Sequence, residues 1–321
     1  MFLNFLKAEG YRASKMKCIW ILPIVMFALV LMTSFVLLRV DMLGMMGMSR
    51  EDMDAIAEQG ASAEGIEDSF RAGFSAGVDM GNDIVAATEG DTEAVEEEKE
   101  PEPVTIVGEG LLYREDVPEL FYQNIATLST ILLLAIFAGL YVGDVYSTGV
   151  MKNITIGNRK RGLLFTARMT VIAVYSFIFH VITYFWTLIC VAMMAESVKL
   201  NADGAFFKYF IFSWIITVAF CFVVAAVTTL TRSKAAGITV GVILASGLLT
   251  MAISVANMIL VRKFDLDSSF SLANYTLTQN LAVLNLHSEG HVVVRALMCS
   301  IIYGILAFTA GAIINKKRDI S

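Results

Sequence analysis

Proline is nearly absent from this chain, with 4 in 321 residues. Charge is also thin, at 17% of residues against roughly 25% in ordinary soluble domains. Cysteine is sparse, and Cys18, Cys190, Cys221 and Cys299 all lie in apolar runs. None falls in the long polar segment, which argues against a disulfide framework or a spaced metal site; they read as small core residues. No Walker pattern is present, so the chain does not bind ATP in the P-loop manner. No hydrolase or transferase constellation is found, and the chain is not expected to be an enzyme. Each basic cluster flanks an apolar run, which argues for membrane topology rather than a nucleic-acid surface. There is no long-period repeat.

What fills the chain is hydrophobic sequence, 57% of all residues. Runs of roughly 20 apolar residues cross a ~30 Å hydrocarbon core as helices. The pattern predicts an all-α membrane protein with six spans, at 18–40, 120–142, 164–195, 207–230, 236–261 and 292–314. Pro23 stands near the start of the first, where a missing backbone donor is tolerated better than at mid-helix. Residues 1–17 mix Phe2, Leu3, Phe5 and Leu6 with Lys7, Arg12, Lys15 and Lys17. That pattern suits a helix lying in the interface, with its bases among lipid head groups. A signal peptide is not expected, because the apolar run is too long and no small-residue cleavage pattern follows. The third span exceeds what a bilayer needs and would tilt or protrude. A short loop at 199–204 and a tight basic turn at Arg232 and Lys234 separate the later spans. Residues 262–290 carry Phe270, Leu277, Leu281 and Leu284 at helical spacing, which fits interfacial or re-entrant helices.

The net charge of -6 hides a sorting by region. Residues 41–119 hold 22 of the 30 acids and 4 of the 24 bases, so that segment is strongly acidic and the remainder basic. Short amphipathic helices are predicted in its first half, with Met53, Ile56, Ile66, Phe70 and Phe74 as apolar positions. Glu89–Pro103 is a charge run that reads as a solvated linker or as an attractor of cations. Bases collect in the N-terminal cluster, between Lys152 and Arg168, at Arg232 with Lys234, and at Lys316–Arg318. With six spans these fall on one side, which places both termini and the 143–163 segment in the cytoplasm of a cell membrane. The acidic segment and 262–290 are then outside. Arg262 and Lys263 run against the rule, offset by Asp265 and Asp267.

The segment between the second and third spans is the most informative. It reads GDVYSTGVMKNITIGNRKRGLLFTAR over 143–168. Asp144, Tyr146, Gly149, Val150, Met151, Lys152 and Asn153 are followed by Gly157, Asn158 and Arg159. This acid–x–aromatic–x–x–Gly–apolar–apolar–Lys–Asn pattern, with a Gly–polar–basic turn before a new span, resembles the type-2 ABC transporter permease family. The likeness is nearest to bacterial peptide-antibiotic immunity and export permeases, and the order of elements extends it over most of the chain. The outer segment between the first two spans is longer and more acidic than in a compact member. The resemblance implies that this loop is a coupling helix that docks into a groove on a separate ATP-binding subunit. Val150, Met151, Ile154 and Ile156 would form the apolar ridge entering the groove. Gly149 and Gly157 would turn the chain at its ends. Lys152, Arg159, Lys160 and Arg161 would meet acids on the partner or lipid phosphates. The resemblance further implies a second permease subunit, identical or related, an amphipathic or antimicrobial peptide as cargo, and ATP with Mg on the partner rather than on this chain. An ion, a drug or a lipid is the alternative cargo. A non-transporting receptor or assembly factor, binding a partner through its acidic outer segment, is the alternative of another class.

Other candidates are weaker. His180 lies mid-span, where an ionisable residue marks a substrate pathway or else is a neutral histidine bonded to a neighbouring helix. His287 and His291, with Glu289 between them, offer two metal ligands without a clear third and read better as interfacial residues. Gly237 and Gly241 stand at GxxxG spacing with Ala245 beyond, a pattern that lets helix backbones approach closely or arises by chance in a small-residue span.

Overall fold

A computed structural model gives the fold of the unit formed by Met1–Leu38 and Glu115–Ser321. It describes residues 2–39, 116–147, 158–194, 198–200, 202–264, 271–286, 288 and 290–317. The acidic segment up to residue 115, most of the candidate docking segment (148–157), Phe270, His287, Glu289 and Arg318 lie outside the described residues.

The described residues are helical apart from short connections and one isolated bridge between Asp116 and Lys199. The helices are α1 (Phe2–Lys15), α2 (Cys18–Arg39), α3 (Val117–Ala126), α4 (Ser129–Ser147), α5 (Asn158–Met194) and α6 (Gly204–Thr231). They continue as α7 (Lys234–Ala245), α8 (Leu248–Phe264), a 3-10 turn (Leu272–Tyr275), α9 (Leu277–Val283) and α10 (Gly290–Lys317). Among the described residues, 5 helices are long and apolar enough to cross a membrane: α2, α4, α5, α6 and α10. This is a helical, multi-pass membrane architecture. α5 has 37 residues and rises about 55 Å at ~1.5 Å per residue, well beyond a ~30 Å hydrocarbon layer.

Two expected spans are divided. Residues 120–142 are split between α3 and α4, because the chain turns at Thr127 and Leu128, whose φ is +60°. Residues 236–261 are split between α7 and α8 at Ser246 and Gly247, whose φ is +77°. Left-handed backbone ends a right-handed helix wherever it occurs, and glycine adopts it at no steric cost. Side-chain caps mark other starts. Asp203 Oδ1 accepts from the Phe206 amide at 3.0 Å at the head of α6, and the Ser233 hydroxyl accepts from the Ala236 amide at 3.3 Å at the head of α7.

α4 is the axis of the unit. In its apolar window 67% of residues are buried, against 22% in α2 and in α10. Ile131, Leu134, Phe137, Ala138 and Tyr141 are wholly enclosed. The face of α4 toward α7 is small: a Cβ on Gly139 would stand 3.1 Å from the Ile238 backbone nitrogen, and one on Gly143 2.8 Å from Lys234 Cα. Gly237 and Gly241 of α7 are buried in the same junction. A Cβ on Gly241 would meet Ala135 at 3.0 Å, and one on Gly237 would collide with the Thr228 hydroxyl of α6. Two GxxxG pairs, Gly139 with Gly143 and Gly237 with Gly241, therefore line one seam.

α2 is held to α5 through its backbone. Pro23 has no N–H to give the Ile19 carbonyl four residues back. The Tyr175 hydroxyl donates to that carbonyl instead, at 3.0 Å. Trp186 Nε1 donates to the Pro23 carbonyl at 3.1 Å.

Two outcomes are expected in thermal unfolding of the detergent-solubilised protein. Gly143→Leu opposes main chain that has no room to yield and should cost about 1–3 kcal/mol, whereas Gly162→Ala, with nothing within 4 Å, should be neutral or stabilising. Tyr175→Phe should cost about 1–3 kcal/mol by leaving the Ile19 carbonyl without its donor.

Candidate functional site

The candidate docking segment opens from the end of α4 and closes at the start of α5. Asp144 and Tyr146 stand in the last turns of α4. Gly149, Val150, Met151, Lys152, Asn153, Ile154, Ile156 and Gly157 fall outside the described residues, and Asn158 and Arg159 contribute the first backbone positions of α5. What the structure describes is the frame on either side of the segment.

That frame contains a buried charge cluster that the sequence reading did not foresee. Glu9, in the middle of α1, is 5% exposed, and Arg168, three turns into α5, is 1% exposed. Arg168 Nε donates to Glu9 Oε1 at 3.0 Å. Glu9 Oε2 accepts from the Tyr141 hydroxyl of α4 at 2.9 Å and pairs with Arg12 Nη2 at 2.8 Å. The Arg12 guanidinium lies over the Tyr141 ring, 4.4 Å from its centre, a cation–π contact. Arg12 Nη2 also donates to the Tyr141 carbonyl at 3.4 Å, whereas its Nε and Nη1 have no hydrogen-bond partner among the described residues. An apolar patch adjoins this group. Val145 of α4 and Leu164 of α5 are buried together, with Phe5 of α1 and Tyr146 packed against them. One carboxylate on α1 therefore reaches both helices that flank the candidate docking segment.

This corrects one expectation about charge. Arg168 is not a solvent-facing base of the basic loop: α5 has already begun at Asn158, and the guanidinium is enclosed within the bundle. In α1 the inward face carries an acid as well as apolar residues, since Glu9 and Ala13 are turned inward and buried. The signals were present in the sequence. Glu9 is the lone acid before Asp41, and Arg168 sits within the apolar run LLFTARMTVIAV. A solitary charge in such company is paired when it is buried.

A second pair braces the other side of α4. Lys234 Nζ stands 2.7 Å from Asp144 Oδ1, and both side chains are about one-third exposed, at 34% and 30%. Asp144, the acid that opens the motif, thus faces the head of α7 rather than the docking segment alone.

His180 is fully buried in α5. Its Nδ1 lies 2.9 Å from the Ser176 carbonyl of its own helix. A carbonyl accepts only, so Nδ1 carries the proton and the neutral ring presents Nε2 as a lone pair. Among the described residues Nε2 has no hydrogen-bond partner, and the ring stands edge-on to Phe210 of α6 at 5.9 Å. The polar bond is therefore within α5, and the neighbouring helix supplies an aromatic contact. His180 is not gathered with the Glu9 cluster by any hydrogen bond or ion pair among the described residues. Among the described residues, no group of three His, Cys, Asp or Glu side chains could hold a metal. His291 is exposed in the first turn of α10.

No protein-family model and no curated protein matches this sequence.

The two ion pairs should differ sharply in unfolding measurements. Glu9→Ala removes the carboxylate from a buried guanidinium and should cost about 3–5 kcal/mol. Asp144→Asn, at a pair about one-third exposed, should cost under about 1 kcal/mol.

Proposed function

We propose that this chain is the membrane-spanning permease subunit of an ATP-driven exporter of the type-2 ABC class. Its cargo is an amphipathic or antimicrobial peptide, moved outward or off the membrane for export or self-immunity. The observation that carries this reading is the glycine-bounded, basic segment over 149–159, lying between two apolar helices long enough to span a bilayer. The frame around it supports the reading. Both flanking helices are tied to α1 through Glu9, and α4 is tied to α7 through Asp144 and Lys234. A segment pushed by a partner has to hand its displacement to packed helices, because close-packed interiors transmit strain rather than absorb it.

In this mechanism the chain hydrolyses nothing. ATP and Mg bind the partner ATPase, and closure of two such subunits shifts a pair of permease chains. Val150, Met151, Ile154 and Ile156 enter the ATPase groove, while Lys152 and Arg159 set its orientation against acids or lipid phosphates. Both termini face the cytoplasm of the cell membrane, and the acidic 41–119 segment lies outside.

Co-expression with an ATP-binding cassette subunit, if one is encoded beside it, tests the assignment. Replacing Gly149–Lys152 should abolish co-purification of the ATPase while the chain still inserts into membranes. Unchanged co-purification would overturn the docking role. Deleting residues 85–103 separates the reading from a non-transporting receptor: an exporter keeps its ATPase after the deletion, and a receptor loses its ligand with no ATPase involved.

A further inference from the structure

The Glu9 cluster joins three helices through one carboxylate. Three donors converge on one carboxylate from three different helices. Arg12 belongs to α1 itself, Tyr141 to the last two turns of α4, and Arg168 to the third turn of α5. The donor–acceptor separations of 2.8, 2.9 and 3.0 Å are ordinary hydrogen-bond lengths, and all three bonds end on the same carboxylate. Glu9, Tyr141 and Arg168 are buried and Arg12 is partly so, so water has little access to the carboxylate and the low local dielectric strengthens the cluster as a unit. Such bonds fix direction as well as distance. The apolar contact of Phe5 with Val145, Leu164 and Tyr146 adds area to the same junction without fixing angle.

We infer that Glu9 is a positioning residue: it locks α1 to the end of α4 and the start of α5, making the N-terminal helix the third strut of the frame around residues 148–157. The role in transmission rests on the proposed function; the locking itself does not. Displacement of the segment then carries α1 with it as one body. Glutamine at position 9 does not reproduce the lock, because it replaces one acceptor oxygen by an N–H₂ donor facing other donors. Aspartate does not either, since it is shorter by one methylene and does not span from α1 to both Tyr141 and Arg168.

A plain packing role for this junction makes a different forecast. Replacing a buried ion pair by apolar side chains of similar volume is often neutral or stabilising. Under a packing role, the Met–Met variant, Glu9→Met with Arg168→Met on an Arg12→Met background that leaves no guanidinium of the cluster without its carboxylate, keeps both stability and geometry. Under a positioning role it keeps stability but loses geometry, because apolar contact sets no direction.

The experiment uses the full chain in lipid nanodiscs, with the four native cysteines replaced and spin labels at Tyr11→Cys on α1 and Leu163→Cys on α5. Both positions are exposed, at 66% and 38%. In the otherwise native protein the distance distribution should be narrow and should stay in place when the co-purified ATPase is trapped with ATP and vanadate. In the Met–Met variant, thermal unfolding should remain near that of the native chain while the distribution broadens. ATP turnover by the assembled complex should fall about tenfold, the scale of loss expected from a misplacement of less than about an ångström. A narrow distribution in the Met–Met variant would overturn the lock. So would a native distance that changes on vanadate trapping. Broadening in the isolated chain with undiminished turnover in the complex would overturn the transmission role. Failure of the ATPase to co-purify at all would instead remove the proposed function, with the nanodisc distances still testing the lock.

Discussion

Close approach of backbones along one face of α4 is the contact on which the rest of the unit depends. Lipid tails are as apolar as leucine, so burying hydrophobic surface between helices gains little within a membrane, and tight van der Waals packing and hydrogen bonds must hold them together. Gly139 and Gly143 bring α7 against α4 at backbone distance, and Gly241 meets Ala135 in the same seam. Once α7 is seated there, Lys234 at its head lies beside Asp144, and the start of α7 is fixed to the end of α4. On the opposite flank the larger residues Phe137 and Tyr141 face α5 and α1, with Phe137 4.2 Å from Tyr175 between ring centres. Small residues on one side and large ones on the other give α4 two kinds of neighbour, and place both ion pairs at the same end of one helix.

Composition and hydropathy made the architecture legible. The helical class, its membrane character and four of the long apolar helices can be read from runs of residues whose chemistry is uniform. Two features escaped. Breaks at Leu128 and Gly247 occur within apolar sequence, where a hydropathy window sees no change; a single left-handed residue divides the helix without altering its polarity. Leu128 is the harder of the two to foresee, because leucine rarely adopts that conformation. Gly247 stands among Ala245, Ser246 and Leu248, in a stretch where Gly237 and Gly241 sit inside a helix, so glycine alone gave no boundary.

The candidate site was legible as a motif and not as a framework. Counting bases by region assigned Arg168 to a cytoplasmic cluster, since a regional sum treats every base as solvated. Its immediate neighbours, Phe165, Ala167 and Met169, are all buried, and a charge in that setting needs a partner elsewhere in the chain. The partner lies 159 residues away. No local spacing rule connects Glu9 to Arg168; only the packing of α1 across the junction of α4 and α5 does. The Asp144 motif suffers the same limitation, because its pairing with Lys234 depends on α7 folding back along α4.

The attachment of α2 to α5 carries a consequence for how this sequence can vary. Ile19 and Pro23 are engaged through their carbonyl oxygens, groups that every amino acid possesses. The outward face of α2 is therefore free to drift among apolar residues without loosening its hold. Position 23 and position 175 are not free of one another. A residue at 23 with its own N–H would supply the Ile19 carbonyl from within the helix, and the Tyr175 hydroxyl would become redundant. Among descendants of this chain, loss of the tyrosine hydroxyl should be found together with loss of the proline, a correlated substitution between two helices whose cause is a single peptide oxygen.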